Sequence, residues 1–307
     1  MPVSRHCSIG VEIKTIKKGE YKMFKTAIIT DELSQDLEVA CQIAKEYDLS
    51  GIELRSVWGK GPHLLSDDEV AKIAEIAKNY GLEVCGISAP FFKCEIDNED
   101  EIKEQYNILD RCIKLAQATG AKFVRGFTFW SHGRDFNEYF DQIVDHLKAA
   151  AKHIEGTGIT LVIEMDPTLF ACDATKVAKV VEAVNHDQVK GLFDPGNILW
   201  VPDSEKPYPD GYEAIKNCMV HVHIKDADFV DGKIDAVKIG TGLVDYKGFI
   251  ARLKEDKYEG YIVLETHYRM KKELSEEQLA LPGGADFSDG AIPASTECLP
   301  ILRDWAK

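Results

Sequence analysis

The chain has 307 residues, 45% hydrophobic and 29% charged, with 37 basic against 52 acidic side chains and a formal net charge of −15. These proportions supply a core for one large domain or two small ones and exclude a disordered chain. A surface this acidic repels phosphate backbones and anionic lipid, so neither a nucleic-acid nor a membrane partner is expected.

Residues 1–22 are Lys-rich and weakly patterned, and Met23 is itself a plausible start, so 1–22 are read as an N-terminal extension and 23–307 as the fold. No apolar run approaches the roughly 18 residues of a membrane span, and no secretory leader pattern opens the chain. The expected location is cytoplasmic. The eight cysteines, at 7, 41, 85, 94, 112, 172, 218 and 298, form no C-x-x-C pair and read as small buried hydrophobes in a reducing compartment.

From residue 24 onward one unit repeats: a short apolar β-rich run, then a longer stretch with helical spacing of apolar residues. The strands are expected at 25–30, 51–56, 82–88, 122–128, 159–165, 190–194, 219–225 and 260–265. Helices are expected at 35–48, 67–80, 99–119, 135–155, 173–185, 210–217, 246–256 and 293–306. Ser66 with Glu69 has the form of a capping box, and Gly81 and Gly120 stand where helices should end. Eight alternating units in this length predict an α/β fold, a single-domain (β/α)8 TIM barrel with parallel strands. A doubly wound open sheet would carry a glycine-rich phosphate loop after the first strand, and ITDELSQDLE has none.

In such barrels chemistry sits at the C-terminal ends of the strands. The last four strands end in LVIEMD with Glu164, GLFDPGN with Asp194, HVHIKD with His221 and His223, and IVLETH with Glu265 and His267. A carboxylate after several apolar strand residues points into the mouth, where an unpaired charge is costly. Four such groups in one mouth call for a cation. Three carboxylates and an imidazole without a thiolate suit Mn²⁺ first, with Mg²⁺, Co²⁺ or Zn²⁺ as alternatives.

The ordered set Glu in VIEMD, Asp in FDPGN, the second His of HVHIKD and Glu in VLETH resembles the metal signature of the xylose isomerase-like TIM-barrel superfamily. That group holds sugar-phosphate isomerases and epimerases, ketose 3-epimerases, inosose isomerases and dehydratases, hydroxypyruvate isomerases and AP endonucleases. The resemblance spans roughly residues 24–306. It implies a divalent metal on Glu164, Asp194, His223 and Glu265, separated by 30, 29 and 42 residues. It also implies that Glu164 and Glu265 serve as an acid/base pair on the two faces of a sugar. Ketose 3-epimerases carry a further glutamate six residues after the first ligand, where this chain has Phe170. AP endonucleases add metal ligands from earlier strands, which here end in Thr30, Arg55 and Ser88, so a DNA-repair nuclease is not expected.

Other polar residues have a functional and a structural reading each. Arg55 and Arg125, near the ends of strands two and four, either clamp a substrate oxygen or pair with Glu53 or another mouth acid. Lys225 either holds a substrate hydroxyl or pairs with a loop acid such as Asp226. His132, flanked by Phe129 and Trp130, is a candidate catalytic proton shuttle beside an aromatic sugar platform, or else an exposed loop histidine. His63 is a weaker case of the same kind. Asn197 is expected to orient its loop or touch substrate, and His267 to contact substrate or support Glu265. His221 reads as a hydrogen-bonded core histidine. The connection 268–293, long for a barrel, reads as a lid or a subunit contact. KIGTGLVDY is weak evidence for a phosphate cradle.

The expected activity is metal-dependent isomerisation or epimerisation of a sugar, sugar phosphate or keto-polyol, through proton abstraction alpha to a carbonyl and a stabilised enediolate. A lyase of the inosose dehydratase or C-glycoside-cleaving kind is the alternative, with His132 as general acid, and a non-catalytic sugar-binding subunit is the third reading. A homo-oligomer is expected, with a hetero-oligomer as the alternative.

Overall fold

The computed structural model describes residues 24–271 and 273–307, so the expected extension at 1–22 lies outside the described residues. Ten strands form among them, in chain order β1 (Lys25–Ile29), β2 (Gly51–Leu54), β3 (Glu83–Phe91), β4 (Phe123–Gly126), β5 (Thr160–Glu164), β6 (Val189–Phe193), β7 (Met219–Ile224), β8 (Asp226–Val230), β9 (Lys233–Val237) and β10 (Tyr261–Leu264). Eight close into a parallel barrel in the order β1-β10-β7-β6-β5-β4-β3-β2, and β8 and β9 pair separately. Closure runs through β1 and β10, with Lys25 opposite Tyr261 and Ile28 opposite Leu264. The fold is a single-domain TIM barrel, as its strand and helix alternation predicts.

Alternation along each strand explains the layers. Ile28, Ile52, Val124, Leu161, Val222 and Ile262 join the main core under the outer helices, while Ala27, Ile29, Cys85, Tyr261 and Val263 form a separate small apolar cluster. Burying each large aliphatic side chain contributes about 1.5–3 kcal/mol. In β7 the outward Val222 and Ile224 alternate with His221 and His223, which face inward.

The helices are α1 (Leu37–Glu46), α2 (Asp67–Tyr80), α3 (Glu99–Thr119), α4 (Phe136–His153), α5 (Ala174–Val184), α6 (Tyr212–Ile215), α7 (Tyr246–Glu255), α8 (Glu276–Ala280), α9 (Gly284–Ser288) and α10 (Ala291–Trp305). The Ser66 and Glu69 capping box opens α2, and Gly81 and Gly120 end α2 and α3 in the left-handed conformation. Asp36, Asn98, Asp135, Asp173 and Asp245 cap five more helices, each satisfying amides that have no partner within the helix.

Three local expectations change. The third strand continues past 88 to Phe91: Pro90 cannot donate to the ladder, so the register shifts between Ile87 and Phe91 rather than ending. The helix expected at 210–217 shrinks to α6, because Pro207 and Pro209 occupy the approach and yield a wider turn at Pro207–Gly211. The β8–β9 hairpin was not anticipated. Its turn, Asp231-Gly232, has positive φ at both residues (50° and 82°), the geometry that an Asp-Gly pair supplies to a two-residue hairpin loop. Among the described residues, no helix is long and apolar enough to cross a membrane.

Candidate active site

Glu164 closes β5, Asp194 follows β6, His223 lies in β7 and Glu265 follows β10. All four are buried, and one ligand atom from each lies within 4.8 Å of all the others. His223 Nδ1 is 3.2 Å from Glu164 Oε1 and 2.9 Å from Glu265 Oε2. Its Nε2 faces Glu53 Oε1 at 3.1 Å. The Glu53 carboxylate behind the ring accepts from Nε2–H, so that loss of the other ring proton would leave the Nδ1 lone pair facing the carboxylates of the quartet.

Asp194 is oriented by its own loop. Its Oδ1 accepts from the amides of Gly196 and Asn197 at 2.9 and 3.3 Å, while the buried Oδ2 accepts no hydrogen bond. Position 196 requires glycine for a steric reason: a Cβ there would stand 2.6 Å from the Lys225 carbonyl. Lys225 Nζ lies 3.1 Å from Asp194 Oδ2, 3.5 Å from Glu265 Oε2 and 2.9 Å from Asn197 Oδ1. It therefore pairs with the quartet and not with Asp226. That residue accepts from the amides of Ala227, Gly240, Gly242 and Val244, so the glycine turn of KIGTGLVDY is filled by a side chain of this protein and is no phosphate cradle.

Both arginines take the paired role. Arg125 Nη1 is 2.9 Å from Glu164 Oε2. Arg55 ignores Glu53 and instead binds Asp31 at 2.8 Å, Glu32 at 3.0 Å and Glu265 through a short contact. Arg269, on the connection after β10, adds 3.1 Å to Glu32. This contact-linked network holds six carboxyl groups (Asp31, Glu32, Glu53, Glu164, Asp194, Glu265) against four permanent cations (Arg55, Arg125, Lys225, Arg269). The two-charge surplus, the oxygen-rich donor set and an Asp194 Oδ2 that only the Lys225 ammonium meets all fit one divalent cation.

The titration behaviour follows from this crowding. Burial pushes the Asp194 carboxyl up, beyond what Lys225 offsets, to about 6. Burial would also raise Glu265 and Glu164, but Lys225 and His223 hold Glu265 well below the usual range, and Arg125 with His223 brings Glu164 down. Burial opposes charge on His223, yet Glu53, Glu265 and Glu164 raise it well above an ordinary histidine. Without metal the imidazolium supplies part of the missing positive charge, and metal binding displaces that proton. Burial and Lys225 drive His267 down to about 4. It is a neutral ring 3.4 Å from Glu265 Oε1.

A cavity of about 290 Å³ opens above the quartet, near the lower end of small-molecule sites. Arg125, Asn197, Lys225 and His267 line it, together with Lys93, Asp166 and Trp200. The roof comes from Glu276, Leu279, Ala280 and Pro282, in the connection expected to form a lid. His63 lines an adjoining cavity. Two expected site residues are not brought to the cavity wall. Trp130 stands behind Lys93, whose Nζ is 5.6 Å from the indole ring. The His132 side chain is 63% exposed and turned to Glu95 at 2.5 Å, so the proton-shuttle expectation gives way to the exposed loop histidine. Phe170 is buried against Tyr139, with ring centres 4.8 Å apart.

Several site residues were missed. Asp31 and Glu32 follow Thr30 in the turn after β1, near the strand end as the quartet carboxylates are near theirs. Glu53, named only as a possible partner of Arg55, is a buried site residue of β2 in its own right, and Arg55, already a candidate, lies two residues on, just past the strand end. The pair of Lys93 and Asp166, 2.7 Å apart, comes from two loops, and nothing in their sequence spacing announces it.

Comparison with known proteins agrees with this architecture. The family described as xylose isomerase-like TIM barrel matches residues 41–283. Inosose dehydratase of Histophilus somni (strain 129Pt) is 27% identical over 135 residues, covering 39% of this chain and 41% of that enzyme, so the match spans about two fifths of the relative's length. The crystal structure of 3-keto-D-glucoside 4-epimerase from E. coli superposes with a TM-score of 0.65 at 15% identity, covering 90% of this chain and 100% of that one. D-allulose 3-epimerase from Methylomonas sp. gives 0.65 at 16%, covering 90% and 97%. At such identities these two structures establish the shared fold alone.

Proposed function

We propose, for a chain that belongs to the xylose isomerase-like TIM-barrel family, that it is a divalent-metal-dependent isomerase or epimerase of a sugar or keto-polyol. The observation that carries this reading is the buried quartet of Glu164, Asp194, His223 and Glu265 under a substrate-sized cavity. A divalent ion, Mn²⁺ first, would supply charge stabilisation for a carbonyl and its neighbouring hydroxyl. The protein's part is proton transfer and positioning. Glu164 and Glu265 belong to strands separated by β6 and β7, so their carboxylates reach the cavity from two sides. One, ionised, abstracts the proton alpha to the carbonyl, and the other, after taking up a proton from solvent, gives it to the opposite face. Arg125 favours the basic form of Glu164, while Arg55 and Lys225 favour that of Glu265. Asn197 and Lys225 are placed to hold substrate hydroxyls, and the roof over the cavity excludes water. The enzyme is read as cytoplasmic and homo-oligomeric.

A lyase reading keeps the same base but expels a beta substituent. The inosose dehydratase match and the phenylalanine at 170 favour it. One experiment separates the two. The Mn²⁺-loaded protein is incubated in D₂O with ketoses, inososes and 3-oxo-glycosides and followed by NMR. Deuterium at an alpha carbon of recovered sugar supports isomerisation or epimerisation, and loss of water or aglycone supports the lyase. Neither outcome across the panel, with metal bound, would overturn both in favour of a binding subunit.

A further inference from the structure

The mouth contains a second cavity, of about 200 Å³, that touches none of the quartet. It lies over the ends of β2 and β3, and Lys93, Arg125 and Pro282 wall both cavities, so the two are adjoining chambers under one roof. Most polar groups of the second chamber are already committed. Arg55 is held by Asp31, Glu32 and Glu265. Ser56 Oγ donates to Asp31 at 2.6 Å and receives the Gly284 amide at 3.0 Å, and Ser88 Oγ donates to Glu53 at 2.5 Å. The exception is His63, whose buried Nδ1 has no hydrogen-bond partner. Burial also holds this imidazole below its usual pKa, in the neutral form. Lys93 and Arg125 are paired with Asp166 and Glu164, and the apolar part of the wall is built from Pro62, Pro90, Leu281 and Pro282.

A slot whose cations and hydroxyls are already paired, with proline and leucine walls and one unused imidazole nitrogen, is a poor site for a free polyol, whose several hydroxyls would go unmatched. It suits a ring bearing few polar atoms. An apolar cavity of about 150 Å³ suffices for benzene, so this chamber is large enough. We infer that the second chamber is a subsite for a ring attached to the sugar held above the quartet, so that the substrate is a glycoside with a cyclic aglycone and an oxo group on its sugar ring, and His63 hydrogen-bonds to the appended ring or its linking oxygen. This inference rests on the proposed sugar chemistry of the first chamber, yet it makes a separate claim about binding.

The test is calorimetric titration of the full-length, Mn²⁺-loaded protein with free hexoses and with their methyl and phenyl β-glycosides, in the gluco, galacto and manno series. The expected result is at least tenfold tighter binding of one phenyl glycoside than of its parent sugar. Leu281→Trp fills the chamber from a side chain that is 55% exposed, so folding is not at risk; it should erase the advantage. His63→Phe keeps a ring but no donor or acceptor and should reduce it several-fold. Equal binding of glycoside and free sugar, no binding of any glycoside, or an advantage that survives Leu281→Trp would overturn the subsite. If the D₂O experiment fails while the phenyl preference appears and Leu281→Trp removes it, the isomerase reading falls and the subsite stands.

Discussion

The two halves of the barrel mouth use the same residue types to opposite ends. At the ends of β5, β6, β7 and β10, Glu164, Asp194, His223 and Glu265 converge with ligand atoms within 4.8 Å and leave Asp194 Oδ2 without a hydrogen bond. At the ends of β1 and β2, Asp31, Glu32, Glu53 and Arg55 are just as buried, but the carboxylates there are matched by arginine, serine or histidine partners. On the proposed reading, one half takes a divalent cation in addition to its Arg125 and Lys225 partners, and the other is paired by Arg55 and Arg269 alone. A cluster of buried acids therefore identifies a metal centre only after the internal cations have been subtracted.

The largest expected effect breaks the first half. Glu164→Gln and Asp194→Asn each remove a ligand, and elemental analysis after dialysis should find metal content reduced to background in both. Unchanged metal content would show that the quartet is not the site. The second effect breaks the other half. Arg55→Met leaves Asp31 without a cation in the interior and Glu32 with Arg269 alone, and removing one partner of a buried ion pair costs about 3–5 kcal/mol. Chemical denaturation should show a loss of that size, whereas a neutral result would mean that the acids are protonated or hydrated.

A third effect sharpens the contrast through pH in the metal-free protein. His267 has a native value of about 4 against 6.5 unfolded, so its contribution is complete above pH 6.5 and is lost as pH falls toward 4, by up to about 3 kcal/mol. Asp194, raised to about 6 from 3.8, works in the opposite sense and adds stability over nearly the same descent. The parent curve should be shallow between pH 6.5 and about 5, above the range in which the depressed carboxyls of Glu53, Glu164 and Glu265 begin to lose their contribution. His267→Gln should make stability rise on acidification and Asp194→Asn should make it fall, as read from urea midpoints. Parallel curves for both variants would remove this account of the two groups.

The same contrast explains what could be read from the sequence. The barrel was legible because eight apolar runs alternate with amphipathic segments, and the quartet because each ligand ends such a run within its own short motif. The Asp31, Glu32 and Arg55 network was not, because its residues acquire meaning only when β1, β2 and β10 become neighbours, a relation set by barrel closure. The roles of Arg55, Arg125 and Lys225 were left open for that reason. His132 failed for a local one: positive backbone φ at Phe129 and His132 turns the loop so that the phenylalanine is buried while the imidazole faces Glu95. The Asp231-Gly232 turn was readable and was overlooked.

Glu53 yields the smallest effect and tests whether the two halves are separable at all. It belongs by position to β2, yet its carboxylate reaches across the interior to His223 Nε2 at 3.1 Å and His221 Nε2 at 2.7 Å. Those two histidines hold its carboxyl well below the usual range against the burial that would raise it. Glu53→Gln keeps the volume and the hydrogen-bonding reach but removes the charge behind the imidazole. With all four ligands intact, metal affinity should fall by about 10–100-fold, the usual penalty for losing a carboxylate that supports a ligating histidine. Competition with a fluorescent chelator would measure it. Because His223 must shed its proton to bind metal, the loss should be accompanied by a change in the proton release seen by calorimetry in buffers of different ionisation enthalpy. A variant that matches the parent in both measurements would confine Glu53 to the self-neutralising half. A shift in both would mean that the half carrying its own cations also sets the basicity of the half that waits for one.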